Sequence, residues 1–163
     1  MKNKFITFSF AFSVFIVASY VGCSSANNES TLASLNDQNI KRLVNLYFLF
    51  QSSHEWRGPD DESEFKEFIK GTPSRKLKRI GIDVGSLDDL FINERDGKPF
   101  TIRYGVEGNM MGCSKPVVFE TDGVRGKKMV GFLDMIQREV EPDEYEKLLS
   151  GEIETSAEPR RGN

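Results

Sequence analysis

Residues 98–140, KPFTIRYGVEGNMMGCSKPVVFETDGVRGKKMVGFLDMIQREV, read as four short β-strands joined by turns. In the first run Phe100, Ile102, Tyr104 and Val106 alternate with Thr101 and Arg103, the period-2 pattern of a half-buried strand. Pro99 stands at its start, where a missing N–H is tolerated, and Asp96-Gly97 before it is a turn pair. The second strand is expected over 116–121, with Val117 and Phe119 on one face, ended by Asp122-Gly123 and a wider turn at Gly126. The third is expected over 128–133. There Val130 and Phe132 point one way, and Gly131 marks a bulge or close packing against an aromatic ring. After Asp134-Met135, residues Ile136, Arg138 and Val140 alternate with Gln137 and Glu139. Connections this short favour antiparallel pairing, because a parallel crossover needs a dozen or more residues.

Upstream, Lys2 and Lys4 precede a stretch from Phe5 to Asn28 that carries no charge. Its apolar part, 5–21, contains five Phe and fits a secretory signal better than a core helix. It also stands at the lower length limit for a membrane-spanning helix, so an uncleaved N-terminal anchor is the alternative. The run closes on Tyr20-Val21-Gly22-Cys23, which resembles the lipobox of bacterial lipoproteins. The resemblance implies diacylglycerol on the Cys23 thiol, cleavage before it, and acylation (palmitate or a similar chain) of the new amino group. Gly22 fits the pattern, Val21 is acceptable, and Tyr20 departs from the usual Leu. Ordinary signal-peptidase cleavage after Ala26 is a second route, since Ser24 and Ala26 are small residues at −3 and −1. Several acyl chains, at ~0.8 kcal/mol per buried CH₂, hold a protein stably where one chain would be marginal.

The expected organisation is a signal peptide over 1–22, a tether over 23–35, one α+β domain over 36–150 and a disordered tail over 151–163. Without Lys2 and Lys4 the mature chain has 20 basic and 25 acidic residues, about −5, which argues against nucleic-acid binding. About 140 residues make one domain rather than two. A first helix is expected from an N-cap at Asn36 or Asp37, with Ile40, Leu43, Val44, Tyr47 and Phe50 or Gln51 as its buried stripe. Asp61 with Glu64 forms a capping box for a short second helix that buries Phe65, Phe68 and Ile69 and stops at Gly71 as C′. Ser86 with Asp89 caps another helical turn, and Pro142 at N1 opens a last helix that Gly151 ends. The fold expected is an N-terminal helix and a short second helix on an antiparallel sheet of about four strands, with a short C-terminal helix.

Asn39-Ile40-Lys41-Arg42-Leu43 with Tyr47, His54 and Pro59 resembles the helix of bacterial pseudopilin-like exported proteins. Arg95-Asp96-Gly97-Lys98-Pro99-Phe100, Tyr104-Gly105-Val106 and 126–130 resemble uncharacterised exported lipoproteins of planctomycete bacteria, as does the end 140–145. The resemblance covers most of 36–150 and implies no activity. A pseudopilin is cut before its apolar segment and carries an early Glu in it. Here both cleavage sites follow the segment, which has no Glu.

Catalytic patterns find little footing. His54 is the only histidine, so a nucleophile–base pair could be only Cys113 with His54, and a zinc site would need both with acids. Gly126-Lys127-Lys128 lacks the earlier Gly and the Ser or Thr of a phosphate loop, and 123–126 has a GxxG form between strands rather than helices. The acid pairs Asp60-Asp61, Asp88-Asp89 and Asp143-Glu144 stand at helix starts, where capping explains them. Arg75, Lys76, Lys78 and Arg79 around Leu77 offer contact with anionic headgroups or cell-wall polymer, or else form a solvated face. Trp56 offers contact with a sugar or partner, or else packs in the core. The sequence therefore points to an exported, lipid-anchored envelope protein facing periplasm or exterior. It would be non-enzymatic, without cofactor or metal, and would act on an envelope or cell-wall partner. The alternative is a pilin-like or secretion-system component that assembles through the helix 40–50.

Overall fold

The computed structural model describes residues 38–110 and 113–154. The signal peptide, the lipobox, the tether with Asn36 and Asp37, and the tail beyond residue 154 lie outside the described residues. Helices α1 (Asn39–Ser53), α2 (Glu62–Gly71), α3 (Ser74–Arg79) and α4 (Leu87–Leu90) come first, with a 3₁₀ turn at Val84–Ser86. Strands β1 (Thr101–Ile102), β2 (Pro116–Phe119), β3 (Lys128–Phe132) and β4 (Gln137–Val140) follow, then α5 (Pro142–Ser150). The sheet is antiparallel throughout, in the order β1-β2-β3-β4. The protein is thus α+β, with helices before and after one four-stranded sheet. No helix of the described residues is long and apolar enough to cross a membrane.

Helices cover both faces of the sheet. On one, Ile40, Leu43, Val44, Leu46, Tyr47 and Phe50 of α1 pack with Val117, Val118 and Leu133, and Phe65, Ile69 and Leu77 extend that core into α2 and α3. On the other, Phe119, Val130, Phe132 and Val140 pack with Tyr145 and Leu148 of α5. Each fully buried aliphatic or aromatic side chain contributes roughly 1.5–3 kcal/mol relative to exposure. The predicted α1 stripe is therefore sheet-facing, and both Phe50 and Gln51 are buried.

At Gly131 the sheet leaves no room for a side chain beneath α1. A Cβ there would come 2.6 Å from Val44 Cγ2 and 3.1 Å from Ile40 Cγ1. The close packing expected at Gly131 is thus against aliphatic side chains of α1, not an aromatic ring. The bulge lies across from it: Pro116 pairs with Phe132 and Val118 with Gly131, so β2 holds one extra residue. Val117 and Val118 both join the α1-side core, while Phe119 joins the α5 side. Val117 and Phe119 therefore do not share a face, because the extra residue resets the alternation.

The first strand is shorter than its alternation implied. Pairing stops after Ile102, apart from Arg103 N–H donating to Val117 O. Gly105 has φ +67° and donates to Pro59 O, and Gly108 donates to Trp56 O, so residues 103–108 turn toward the loop after α1. Tyr47 and Gln51 hold this segment. The Tyr47 hydroxyl donates to Arg103 O at 3.0 Å and accepts from Val106 N at 3.1 Å, while Gln51 Nε2 donates to Val106 O at 2.7 Å.

Capping differs from expectation at three ends. Helix α1 begins at Asn39 after Gln38, which makes no side-chain cap. Instead Glu94 Oε1 accepts from Asn39 N, and the Asn39 amide donates to Asp89 O and Ile92 O. Gly71 belongs to α2 itself, and Thr72 ends that helix in an extended conformation rather than a left-handed glycine. Ser86 makes no cap bond; Asp83 caps the 3₁₀ turn through Gly85 N. Three ends match: Asp61 accepts from Glu64 N, Pro142 opens α5, and Gly151 closes it at φ +80°. Residues just past α5 stay docked, since Ile153 packs on the α5-side core.

Candidate functional site

The exposed face around α3 brings together four of the residues the sequence singled out. Pro73 cannot extend α2, and the chain restarts as a six-residue helix with one apolar position. Leu77 is buried and fixes the orientation, so Arg75, Lys76, Lys78 and Arg79 all face solvent. None of the four forms an ion pair or side-chain hydrogen bond with another described residue. Lys76, Lys78 and Arg79 lie in the last turn, where the macrodipole favours cations. Beside them opens a groove of about 450 Å³, lined by Leu49, Ser52, Ser53, Phe68, Gly71, Thr72, Pro73 and Lys76.

Trp56 stands apart from that groove's lining. It is half-buried, has φ +67°, and packs on Phe48 with ring centroids 5.7 Å apart. Tyr20, Val21, Gly22 and Cys23 lie outside the described residues.

His54 and Cys113 are engaged separately. The His54 ring stacks on Phe50 at 3.9 Å and meets Phe68 edge-on, and its Nδ1 lies 2.8 Å from Phe50 O, to which it can only donate. Cys113 is half-buried, and its thiol points to Glu107 O at 4.0 Å. Among the described residues no group of three His, Cys, Asp or Glu side chains could hold a metal ion. Capping accounts for only one acid of the three pairs: Asp61 caps α2, Asp60 pairs with Arg57, which also binds Glu64, Asp88 pairs with Lys66 of α2, and neither α4 nor α5 has a side-chain cap at its N-terminus.

The sequence reading missed a buried polar cluster. Glu120 is fully buried. It accepts from Asn93 Nδ2 and from Met129 N, each at 2.6 Å, and Arg95 Nε lies 3.4 Å away. Arg95 also binds Glu139 at 2.6 Å, and the Tyr145 hydroxyl donates to Glu120 O at 2.8 Å. Next to it a cavity of about 120 Å³ is lined by Gln38, Ile40, Asn93, Glu94, Arg95, Phe100 and Met129. The available signal was an acid directly after the apolar run 116–119. Asp96 joins two turns nearby, accepting from Lys98 N at 2.9 Å and from Asp122 N and Gly123 N at 3.1 Å. Burial pushes the Asp96 carboxyl up, but the N–H groups of Lys98, Gly123 and Asp122 outweigh it and hold the group below the usual aspartate range.

No protein-family model, curated protein or solved structure matches this chain.

Proposed function

We propose that this chain is an exported protein, lipid-anchored at Cys23, whose α+β domain is a non-enzymatic structural or interaction module of the cell envelope. The observation that carries the reading is Gly22-Cys23 at the end of an uncharged apolar run that follows Lys2 and Lys4. The order of parts supports it. The described fold begins at residue 38, fifteen positions after Cys23 in the sequence. Engagement of the reactive side chains in the fold supports the non-enzymatic part. His54 is stacked and donating to backbone, Glu120 bridges β2 to β3 and to Asn93, and Asp96 ties two turns. Each of these groups already has a structural task.

Assembly through the helix 40–50 is the weaker reading. Ile40, Leu43, Val44, Tyr47 and Phe50 are at most 3% exposed within the single chain. That face would have to leave the sheet before it could pack into a fibre.

The test is export of the full chain in a bacterial host fed labelled palmitate, beside Cys23→Ala. The native chain should carry label and stay with the membrane through an alkaline wash, and Cys23→Ala should carry none. Equal label in both, or none in the native chain, would overturn the reading.

A further inference from the structure

We propose that α3 docks on the anionic phospholipid surface of the bilayer that holds the chain, with Arg75, Lys76, Lys78 and Arg79 against headgroup phosphates. The inference rests on the membrane-anchored reading above and adds the surface and its partner.

Three observations carry it. The first is charge complementarity. Arg57, Lys66, Arg95 and Lys127 each pair with a carboxylate, whereas the four α3 cations pair with no described residue. They are clustered on a chain whose mature part is net acidic, about −5. A cluster of unneutralised cations on such a body selects an anionic surface.

The second is placement. The start of the segment, Pro73 and Lys76, lines a groove with Leu49 and Ser53 near the end of α1. Its continuation, Gly81 to Asp83, lines a cleft with Asn39 and Arg42 at the start of α1. The segment therefore runs antiparallel beside α1, and it ends where the chain enters the fold from Cys23. Residues 24–37 number fourteen and reach no farther than about 50 Å at full extension. The basic residues precede the end of the segment, with Lys76 beside Leu49 and Ser53 near the far end of the fifteen-residue α1, a distance of about 22 Å that a fourteen-residue link spans, and anchoring raises their effective concentration at the surface.

The third is the chemistry beside the cations. Lys76 borders a groove whose floor includes the half-buried Leu49 and Phe68. Lys stems and an apolar floor suit the boundary between headgroup and acyl chain. Each Lys or Arg near an anionic leaflet favours the docked state by about fivefold, and the attraction is screened over roughly 8–10 Å at physiological salt.

The experiment uses the full chain extracted from membranes and reconstituted in vesicles of phosphatidylcholine alone, or of phosphatidylcholine with phosphatidylglycerol. An amine-reactive reagent is applied briefly and the labelled lysines are read by mass spectrometry. Labelling of Lys76 and Lys78 should fall at least about fivefold in the anionic vesicles and recover at high salt, while Lys147 on α5 stays constant. Arg75→Gln with Arg79→Gln, which keeps both reporter lysines and Leu77, should weaken the docked state by about 25-fold and raise labelling toward that in phosphatidylcholine. Equal labelling in the two lipid compositions would overturn the proposal. So would protection by soluble polyphosphate but not by the anionic bilayer, which would assign the face to a polymer. Failure of anchoring is read separately, as chain lost from the vesicles. Failure of docking appears as labelled Lys76 and Lys78 on chain that stays bound.

Discussion

Glu120 follows Val117, Val118 and Phe119 directly, and its side chain has no exposed surface. A carboxylate in that position is stable only because Asn93, Met129 N–H and Arg95 converge on it. Glu120→Leu leaves a buried amide N–H, a buried Asn side chain and part of a guanidinium without their acceptor. The expected loss is about 3–5 kcal/mol in urea unfolding, with Glu120→Gln losing clearly less because it keeps one acceptor oxygen. Equal losses for the two would contradict the assignment. Tyr47 gives a second residue-scale prediction. Burial pushes its phenol up to about 12, and the hydroxyl donates to Arg103 O. Since the folded value lies above the unfolded value of about 10, the stabilisation is complete below pH ~10 and is lost as pH rises toward 12. Tyr47→Phe should cost about 1–3 kcal/mol at neutral pH and flatten the alkaline loss. Neither role was readable from the local sequence. Glu120 was visible as an acid after an apolar run, but its side-chain partners Asn93 and Arg95 are 25–27 positions away and the third, Met129 N–H, lies across the turn to β3. Tyr47 was visible only as part of an apolar stripe.

At the scale of elements, the contact of α1 with β3 has one tight point, Gly131 under Val44 and Ile40. Gly131→Val should overpack this layer and cost about 1–3 kcal/mol, and Val44→Ala in the same chain should recover part of it. Purely additive losses in that double-mutant cycle would show that the helix does not bear on this residue. The elements themselves were largely legible. Alternation located all four strands, and the 3.6-residue stripe located α1. The errors came where tertiary partners decide. The β2 bulge shows in no residue type, and the first strand stops at Ile102 because Gly105 turns to Pro59 rather than to the sheet. The start of α1 is set by Glu94 and the 89–92 carbonyls, which are distant in sequence. Helix α3 has one apolar residue in six, so it carries no periodicity, and its basic residues were legible as a cluster but not as one exposed helical face.

At the largest scale, the described residues form a sheet covered on both faces, α1 with α2 and α3 on one and α5 on the other. Among the described residues the apolar faces of α1, α2 and α5 are turned inward, and Arg75, Lys76, Lys78 and Arg79 of α3 form an exposed basic face. The candidate interaction surface was legible in composition, as four cations within five positions. Its neighbourhood was not, because the groove that Lys76 shares with Leu49, Ser53 and Phe68 exists only in the fold. Everything proposed for function depends on whether Cys23 is the lipidated N-terminus. The measurement that tests this most directly is the intact mass and N-terminal residue of the full chain extracted from the membranes of a bacterial host. The account predicts a blocked N-terminus at Cys23 with the added mass of a diacylglycerol and an amide-linked acyl chain. A free N-terminus at Asn27, or an intact Met1 with no added mass, would contradict it.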